Sequence, residues 1–449
     1  GHDAAINMIR RLLQAQGAEV VHLGHNRSVA EIVRAAIQED ADAIAATSYQ
    51  GGHNEYFAYM VDMLRERGCP HIRVVVGGGG TIAPQEIDAL QRYGGRAHLY
   101  ARGRPPDGSQ GHDRRRVRPG ARCPKPAFEA RSLTARDPVQ IARAISVLEN
   151  ADPADAQAEQ IRRMTQRSPS RVPVIGITGS GGAGKSSLTD ELLTRLLRQF
   201  PDRQIAVAAM DPTRGRSGGA LLGDRIRMNS IDTDAVFMRS LATRRRHLAT
   251  AVVLKDVIQL YRAAGFDLII VETAGTGQAD SEIVDLVDWS LYVMTGEYGA
   301  ASQLEKIEML DYADLIVLNK SDKRGANDSL RDVRKQRRRN HPEDRDLADG
   351  DVPVFPTVAS RFNDPGVNRL FTALCGLIGV QRLGSAAWET ADSAQYTTRR
   401  LREPTHPRRE GALPGRDRAQ RPRRARTDRA PRLKPRAVPR ACIRRCRLS

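Results

Sequence analysis

Apolar runs alternate with segments of helical period along the first 96 residues of the chain. In chain order the helical segments and apolar runs cover residues 4–16, 19–23, 29–39, 43–47, 55–67 and 72–76. Helices that alternate with short buried strands are typical of an α/β fold wound on a parallel sheet. The order predicts a flavodoxin-like module over residues 1–96, incomplete because its first strand would precede Gly1.

A second series of apolar runs predicts a larger parallel α/β domain over residues 171–380. Its predicted strands are Val172–Thr178, Ile205–Met210, Leu268–Glu272, Ser290–Met294, Leu315–Asn319 and Val352–Phe355. Helix-length segments separate these strands, as a parallel sheet requires. A polar helical segment at 137–170 is predicted to connect the two domains.

The net charge of +18 is concentrated in two stretches. Residues 381–449 carry 20 basic and 6 acidic side chains, and residues 101–125 carry 8 basic and 2 acidic ones. Both stretches are rich in Arg, Pro, Gly and Ala and lack a regular period, so they cannot bury enough apolar surface to fold alone. We predict a basic irregular linker over 97–136 and a disordered, Arg-rich C-terminal tail over 381–449.

Three explanations of the basic stretches remain open: nucleic-acid-binding arms, solvated tails, or translation in a shifted reading frame. Nucleic-acid-binding segments usually add stacking aromatic side chains to their charge. Here only Trp388 and Tyr396 occur in the tail, before its densest arginine run. The pattern therefore argues against specific nucleic-acid binding.

The rest of the composition is that expected of a cytoplasmic protein without a membrane anchor. No run of 18 apolar residues is long enough to span a bilayer, and no secretory signal is visible. The five cysteines are scattered without metal-ligand spacing, as in a reducing compartment.

A phosphate-binding loop follows the strand Val172–Thr178. Residues 179–186, GSGGAGKS, match G-x-x-x-x-G-K-[ST] and precede a helix at 187–199. Backbone N–H groups of such a loop cradle phosphates, a catalytic Lys185 would reach the outer phosphate oxygens, and the Ser186 hydroxyl would bind Mg²⁺. The predicted nucleotide-binding residues here are Gly179, Gly181, Gly182, Ala183, Gly184, Lys185, Ser186 and Ser187.

A guanine-reading motif closes the strand Leu315–Asn319. Asn319, Lys320 and Asp322 match N-K-x-D, in which the Asp322 carboxylate accepts hydrogen bonds from the guanine N1 and N2 groups. Asn319 is expected to tie this loop to the phosphate loop, and the Lys320 stem to pack against the base. Ser360, after the last predicted strand, is expected to lie near the base. The motif favours GTP over ATP.

Three acids are candidate Mg²⁺ ligands beside Ser186: Asp211, Asp224 and Glu272. Glu272 ends a predicted strand, so a catalytic role in orienting the metal and its water is expected, and the Gly275 N–H would sense the γ-phosphate. Arg225 and Arg227 are candidates for stabilising charge in the transition state. Each of these side chains could instead be a solvated surface group.

The acid at Glu272, the N-K-x-D loop and the stretch 218–230 resemble the G-protein chaperones of adenosylcobalamin-dependent acyl-CoA mutases. Residues 1–7 resemble the end of the cobalamin motif D-x-H-x-x-G, with Ala5 where the motif has its glycine. Ser48-Tyr49 and the glycine run 77–80 resemble that family's further signatures. A B12 domain followed directly by a GTPase domain is the order found in fused isobutyryl-CoA mutases.

The resemblance implies that His2 binds cobalt, that Ser48 contacts the cofactor's nucleotide tail, and that Gly77 and Gly78 permit its close approach. It implies GTP or GDP, Mg²⁺ and adenosylcobalamin as cofactors. The implied partners are an acyl-CoA mutase domain or subunit and an adenosyltransferase, and the implied assembly is a homodimer. Mutase activity is not expected of this chain alone, because no substrate-binding barrel is recognised.

The sequence therefore predicts a Mg²⁺-dependent GTPase that gates loading or protection of the mutase cofactor. Two other functions stay open at this point. The chain could be a corrinoid-binding module with a vestigial GTPase, or an Arg-rich nucleic-acid binder.

Overall fold

The computed structural model describes residues 2–48, 51–77, 83–94, 128, 133–152, 155–166, 172–212, 220–243, 247–275, 283–298, 301–380 and 388. Two α/β units follow one another along the chain, and the predicted fold class is confirmed. None of the helices in these residues is long and apolar enough to cross a membrane.

The described residues of the N-terminal unit form four helices and three short strands. In chain order they are α1 (His2–Ala15), β1 (Glu19–Val21), α2 (Val29–Gln38), β2 (Ala43–Thr47), α3 (His53–Glu66), β3 (Arg73–Gly77) and α4 (Pro84–Gly94). Helix α2 begins at a capping box, in which the Ser28 hydroxyl accepts from the Glu31 N–H and the Glu31 carboxylate accepts from the Ser28 N–H. These bonds satisfy two backbone donors that a helix start otherwise leaves unpaired.

The described residues of the region predicted as a connector form two helices, α5 (Pro138–Asn150) and α6 (Ala156–Gln166). Helix α5 begins with an Asp137 cap and a proline in its first turn, both typical of helix starts. Its buried face, which includes Ile141 and Ile145, joins the core of the second unit. The connector therefore packs as part of that unit, and the predicted domain boundaries stay predictions.

In the part of the chain that the structure describes, the second unit is built on a sheet of seven parallel strands. Its elements are β4 (Val174–Gly179), α7 (Lys185–Gln199), β5 (Ile205–Pro212), β6 (Ala220–Leu222), β7 (Val236–Thr243), α8 (His247–Ala264), β8 (Leu268–Glu272), β9 (Trp289–Thr295), α9 (Met309–Tyr312), β10 (Leu315–Asn319), α10 (Ala326–Asn340), β11 (Val354–Thr357) and α11 (Pro365–Val380). The strand order is β11-β10-β9-β4-β8-β5-β7, and β6 lies outside this sheet.

Strand β4 lies in the middle of the sheet, between β8 and β9. Consecutive strands leave it on both sides, because the chain passes first to β5 and later returns to β9 on the opposite flank. In such sheets a crevice opens beyond the carboxyl ends of the central strands. The loops after β4, β5, β8 and β10 therefore converge at one edge.

Strand β1 corrects the prediction of a single sheet in the N-terminal unit. Strands β2 and β3 pair with each other in parallel, whereas β1 pairs with β6 of the second unit, Glu19 lying opposite Ala220. An edge strand presents unpaired N–H and C=O groups that a strand from elsewhere in the chain can satisfy. The two units consequently share backbone hydrogen bonds.

Strand β7 was not expected from the sequence, because a charged residue interrupts its apolar pattern. Arg239 lies in the strand and is fully buried, with Glu149 and Ser146 of α5 as its hydrogen-bond partners. Buried charges of this kind are tolerated only when paired and hydrogen-bonded. The ion pair therefore makes a strand possible where the sequence pattern argues against one.

The predicted basic linker and tail lie largely outside the described residues. Trp388, at the start of the predicted tail, is fully buried, and its ring meets the edge of Phe200 with centroids 5.0 Å apart. The Arg203 guanidinium lies 5.8 Å from the centroid of the same ring. At this residue the prediction of disorder is wrong, because a large aromatic side chain gains enough burial to pack against the domain.

We expect Trp388→Ala to lower the free energy of unfolding by about 3 to 5 kcal/mol, because removal of a buried indole leaves a cavity against Phe200. Urea unfolding followed by circular dichroism measures the change. Trp388→Phe, which keeps an aromatic ring, should lose markedly less. Equal stability of the alanine variant and the parent would contradict the packing described for this residue.

Candidate functional site

The phosphate loop joins the end of β4 to the start of α7. Lys185, the first residue of α7, is buried, and its Nζ donates to the carbonyl oxygens of Gly179 and Ser180 at 2.8 and 3.2 Å. Gly181 and Gly182 are exposed at the tip, Ala183 is buried, and Ser187 is half-buried in the first turn of α7. The loop thus wraps around the lysine amine at a helix N-terminus, where anions are favoured.

Gly184 lies at the tightest point of this loop. Its φ of +94° is in the left-handed region, and a Cβ there would lie 2.4 Å from the Asn319 side-chain nitrogen. Any other residue would be strained and would push the guanine-motif asparagine away. The loop glycine is therefore required by the approach of a second loop.

A buried cluster of acids and hydroxyls lies behind the loop, at the end of β8. The Ser186 hydroxyl donates to Glu272 at 2.7 Å and also lies 3.1 Å from Asp224 Oδ1. Thr189, one helical turn further along α7, donates to the other Glu272 oxygen at 2.9 Å. The cluster brings together Ser186, Asp224 and Glu272, which were predicted from the sequence to bind Mg²⁺.

Burial and mutual repulsion raise the pKa of two of these acids. Burial, followed by the nearby Asp224 charge, raises the pKa of Asp211 to about 8. Burial, again followed by Asp224, raises the pKa of Glu272 to about 7, against the hydrogen bonds from Ser186 and Thr189. Neighbouring carboxylates taken out of water disfavour one another's charged form. A divalent cation would relieve this repulsion.

The donor set fits Mg²⁺ as it is usually bound with nucleotides. That ion prefers oxygen ligands and is commonly held by one or two carboxylates, waters and substrate phosphates. Ser186, Asp224 and Glu272 supply the hydroxyl and carboxylate oxygens, and Asp211 lies beside them, accepting the Gly223 N–H at 3.1 Å. Among the described residues, no three acidic, histidine or cysteine side chains are placed to enclose an ion by themselves.

Gly275 lies against the phosphate loop. A Cβ at this position would be 2.3 Å from both the Lys185 amine and the Gly179 carbonyl oxygen, and its φ is +69°. Only a glycine therefore fits beside the lysine. The following residues, 276–282, are outside the described part of the chain.

The guanine motif contacts the phosphate loop through two side chains. The Asn319 amide donates to the Ala183 carbonyl oxygen at 2.8 Å, and Lys320 Nζ donates to the Gly182 carbonyl oxygen at 2.8 Å. Lys320 has a φ of +59°, a strained value for a residue with a long side chain. Asp322 is exposed, with its carboxylate accessible to a ligand.

The same asparagine also holds the loop that follows β11. Its Oδ1 accepts from the Thr357 hydroxyl at 3.1 Å and from the Ala359 N–H at 3.0 Å. Ser360 is the next residue and is exposed. The loops bearing Ala183, Asp322 and Ser360 are thus joined through one buried amide.

Arg225 is not available to stabilise charge on a nucleotide. Its guanidinium is buried and donates to Glu39 at 2.9 Å and to Gln38 at 2.8 Å, both at the end of α2. The expectation from sequence is therefore wrong for this residue, because a carboxylate of the N-terminal unit neutralises it. Arg227 remains accessible, with 65% of its side chain exposed.

The residues predicted to bind cobalamin are only partly described. His2 is the first residue of α1, but the structure does not describe its side chain. Gly78 is outside the described residues. Ser48 follows β2, and Gly77 ends β3 opposite Thr47. Ser48 and Gly77 are thus neighbours at the carboxyl edge of this strand pair. His53 begins α3, is buried and lies 3.2 Å from Glu86.

Three residues of the site were not found from the sequence: Thr189, Asp190 and Glu39. Thr189 follows Ser186 by three residues, so one helical face could have indicated it. Asp190 accepts from the Asn229 and Ser230 N–H groups at 2.8 Å and thereby fixes the chain after Asp224. Glu39 is distant in sequence, and nothing in the pattern indicated its contact.

The strand–loop–helix arrangement, the buried acids and the guanine motif define a P-loop GTPase. The chain belongs to the family of methylmalonyl-CoA mutase-associated GTPases named MeaB, whose family model matches residues 141–399. A second family model, that of the B12-binding domain, matches residues 1–98. The predicted GTPase activity, its GTP or GDP and Mg²⁺, and the cobalamin-binding domain are confirmed at the level of family.

The chain is similar over most of its length to fused isobutyryl-CoA mutases. The chain is 50% identical to a fused isobutyryl-CoA mutase from Geobacillus kaustophilus over 412 residues, which is 87% of the chain and 36% of that protein. It is 53% identical to a fused isobutyryl-CoA mutase from Cupriavidus metallidurans over 390 residues, 85% of the chain and 35% of that protein. The predicted resemblance is confirmed, and the chain spans about a third of the length of these relatives.

The chain is similar to a solved structure of a LAO/AO transport system kinase. The similarity covers 58% of this chain and 74% of the kinase chain. Its sequence identity is 22% and its TM-score is 0.40. This likeness is too weak to add to the assignment.

In nucleotide-free and metal-free protein, we expect the free energy of unfolding to fall as pH rises from about 4 to about 8. The folded-state pKa values of Asp211 and Glu272 are raised, so the folded chain keeps protons that the unfolded chain has released. Below pH 4 both states are protonated, and the stabilisation is fully present. Urea unfolding across this range measures the slope.

Asp211→Asn should reduce the slope of that pH dependence and leave the part due to Glu272, because the amide does not titrate. Asp234→Asn, which changes a carboxyl with 80% of its side chain exposed, should leave the slope as it is in the parent. A parent curve that is flat or rises between pH 5 and 8 would show that the two carboxyls are not buried together in solution.

Proposed function

We propose that this chain hydrolyses GTP to gate the loading or protection of adenosylcobalamin on an acyl-CoA mutase of the isobutyryl-CoA or methylmalonyl-CoA type. The main observation in support is that Lys185, Asn319 and the Ser186–Glu272 pair lie together in one site, in a chain that also has a B12-binding domain. The family membership and the two-domain relatives support it.

Recognition of the nucleotide rests on the two joined loops. Backbone N–H groups of the loop and of the first turn of α7 would donate to the phosphates, and the Asp322 carboxylate offers two acceptor oxygens to guanine N1–H and N2–H. Adenine has no donor at N1, so it leaves those acceptors unsatisfied. Because Asn319 ties the loops together at 2.8 Å, base and phosphate are positioned as one unit.

Hydrolysis requires water to attack the γ-phosphorus while the bond to the β–γ bridging oxygen breaks. Lys185 would leave the loop carbonyls and neutralise negative charge on the outer phosphate oxygens. Arg227 is the accessible cation on the side of Asp224 and would stabilise charge in the transition state. Mg²⁺, held through Ser186, Asp224 and Glu272, would supply further charge neutralisation.

Glu272 acts within this site as a fixed, buried acceptor. Hydroxyl groups of Ser186 and Thr189 donate to its two oxygens, which leaves the carboxylate little rotational freedom. Preorganised groups of this kind cost little reorganisation when charge develops. We assign Glu272 to orienting the metal and its water, with Asp211 as a neighbour that completes the acidic surface.

The N-terminal unit would hold the cofactor. Through the family resemblance we assign cobalt binding to His2, whose imidazole is a competent ligand, and contact with the cofactor tail to Ser48, Gly77 and Gly78. The partners we propose are a mutase domain or subunit, an adenosyltransferase that supplies the cofactor, and a second copy of the chain in a homodimer. We place this function in the cytoplasm.

We expect Lys185→Ala to reduce kcat for GTP by about 100-fold or more, the usual scale for loss of a charge-stabilising group in a transition state. Release of inorganic phosphate under saturating GTP and Mg²⁺ measures the rate. Lys335→Ala, which removes an exposed lysine from α10, should leave the rate unchanged. Turnover of the Lys185→Ala variant at the parental rate would refute the assignment of the phosphate loop.

We expect His2→Ala to change the absorption spectrum of cobalamin bound to the chain, because the cobalt would lose its imidazole ligand. Titration with adenosylcobalamin followed by absorbance measures both affinity and spectrum. His25→Ala, at an exposed histidine, is the matched control. Identical spectra for His2→Ala and the parent would exclude His2 as the ligand, and cobalamin binding without GTP turnover in the parent would favour a corrinoid-binding module alone.

A further inference from the structure

The short 3₁₀ turn Asp224–Arg227 lies between the acid cluster and the N-terminal unit. Asp224, its first residue, has its Oδ1 atom 3.1 Å from the Ser186 hydroxyl oxygen, and the preceding Gly223 N–H donates to Asp211 at 3.1 Å. The next residue, Arg225, points the opposite way and donates to Glu39 and Gln38. Adjacent residues of one turn are therefore held by two different parts of the chain.

The contact of Arg225 with Glu39 and Gln38 at the end of α2 is buried and hydrogen-bonded. Glu39 is 1% exposed and Arg225 is 4% exposed. The Glu39 carboxylate also accepts from the Ser240 N–H at 3.0 Å and from the Ser240 hydroxyl at 2.8 Å. Gln38 donates to the Val236 carbonyl oxygen at 2.9 Å, so the end of α2 is fixed against β7.

The other end of the turn is fixed as well. Asp190 of α7 accepts from the N–H groups of Asn229 and Ser230 at 2.8 Å and from the Ser230 hydroxyl at 2.6 Å. The backbone around Asp224 thus has little freedom while Glu39 and Asp190 keep their partners. Loss of either anchor would let the Asp224 carboxylate move away from Ser186.

We propose that Glu39 and Gln38 of the N-terminal unit are positioning residues for the magnesium site of the GTPase, acting through Arg225 on Asp224. This rests on the proposed function only in assigning the acid cluster to Mg²⁺ with a guanine nucleotide. The ionic contact fixes the turn, and the turn places the Asp224 carboxylate. Because coupling between sites is reciprocal, Mg²⁺ with nucleotide would in turn favour this arrangement of α2.

The test compares the affinity for a fluorescent GDP analogue in Mg²⁺ with its affinity in EDTA. In Glu39→Gln, with Arg225 left unchanged, we expect the gain in affinity on adding Mg²⁺ to fall about tenfold. The affinity in EDTA should stay within twofold of the parent, because the phosphate loop and guanine motif are untouched. The EDTA affinity therefore also reports that the domain is folded.

The matched control is Arg34→Ala. The half-buried Arg34 lies on the same helix and pairs across the same interface with Asp232 and Asp234, two exposed acids that follow the turn. It should retain the parental response to Mg²⁺. If Arg34→Ala and Glu39→Gln lose the response equally, general loosening of the interface explains the effect and the positioning role is overturned.

Glu39→Gln leaves a buried arginine without its countercharge, and this can prevent folding. Gln38→Met then decides, because it removes an acceptor of Arg225 without changing the charge, together with the bonds of Gln38 to the Val236 carbonyl oxygen and the Met238 N–H. A reduction of several-fold in the Mg²⁺ response supports the proposal, and an unchanged response in a folded variant overturns it. Failure of the parent to turn over GTP, with a normal Mg²⁺ response in binding, would count against the proposed function alone.

Discussion

The amide of Asn319 is the contact on which the arrangement of the GTPase site depends. It donates to the Ala183 carbonyl oxygen in the loop after β4. It accepts from the hydroxyl of Thr357, which ends β11, and from the N–H of Ala359, which follows that strand. All three loops leave the same edge because parallel strands direct their carboxyl ends together. A buried amide with all its polar atoms paired is costly to disrupt, since each lost partner leaves an unsatisfied group. Phosphate and base recognition are therefore held in a fixed relation.

The acid cluster behind that edge differs from the paired Asn319 amide, because its carboxylates repel one another. Asp211 and Glu272 have raised pKa values as a result of burial and of the nearby Asp224. Such a cluster destabilises the empty protein near neutral pH and favours any cation that can enter. Acids with strongly shifted pKa values are common at functional sites. The ordered hydroxyls of Ser186 and Thr189 keep Glu272 in place meanwhile.

Buried charges join the two units next to the GTPase site. Glu39, Arg225, Arg239 and Glu149 form a buried series in which each charge has a partner of opposite sign, reaching from α2 through β7 to α5. Breaking one pair would leave the remaining charges uncompensated in a poorly polarisable environment. The parallel pairing of β1 with β6 adds backbone hydrogen bonds to this interface. Together these contacts make the B12-binding unit and the GTPase one structural assembly.

The α/β class, six of the seven described strands of the large sheet, the phosphate loop and the guanine motif could all be predicted from the amino-acid sequence. These features are local, since apolar period, glycines and short motifs act over a few residues. The folded structure was needed to establish that β7 is a strand, that β1 pairs with β6, that Trp388 is buried and that Arg225 faces Glu39. Each of these depends on a partner far away in the chain: an ion pair for Arg239, an open strand edge for β1, an aromatic neighbour for Trp388 and a carboxylate for Arg225. Local pattern indicates that a buried charge is unfavourable, and only its distant partner makes it stable.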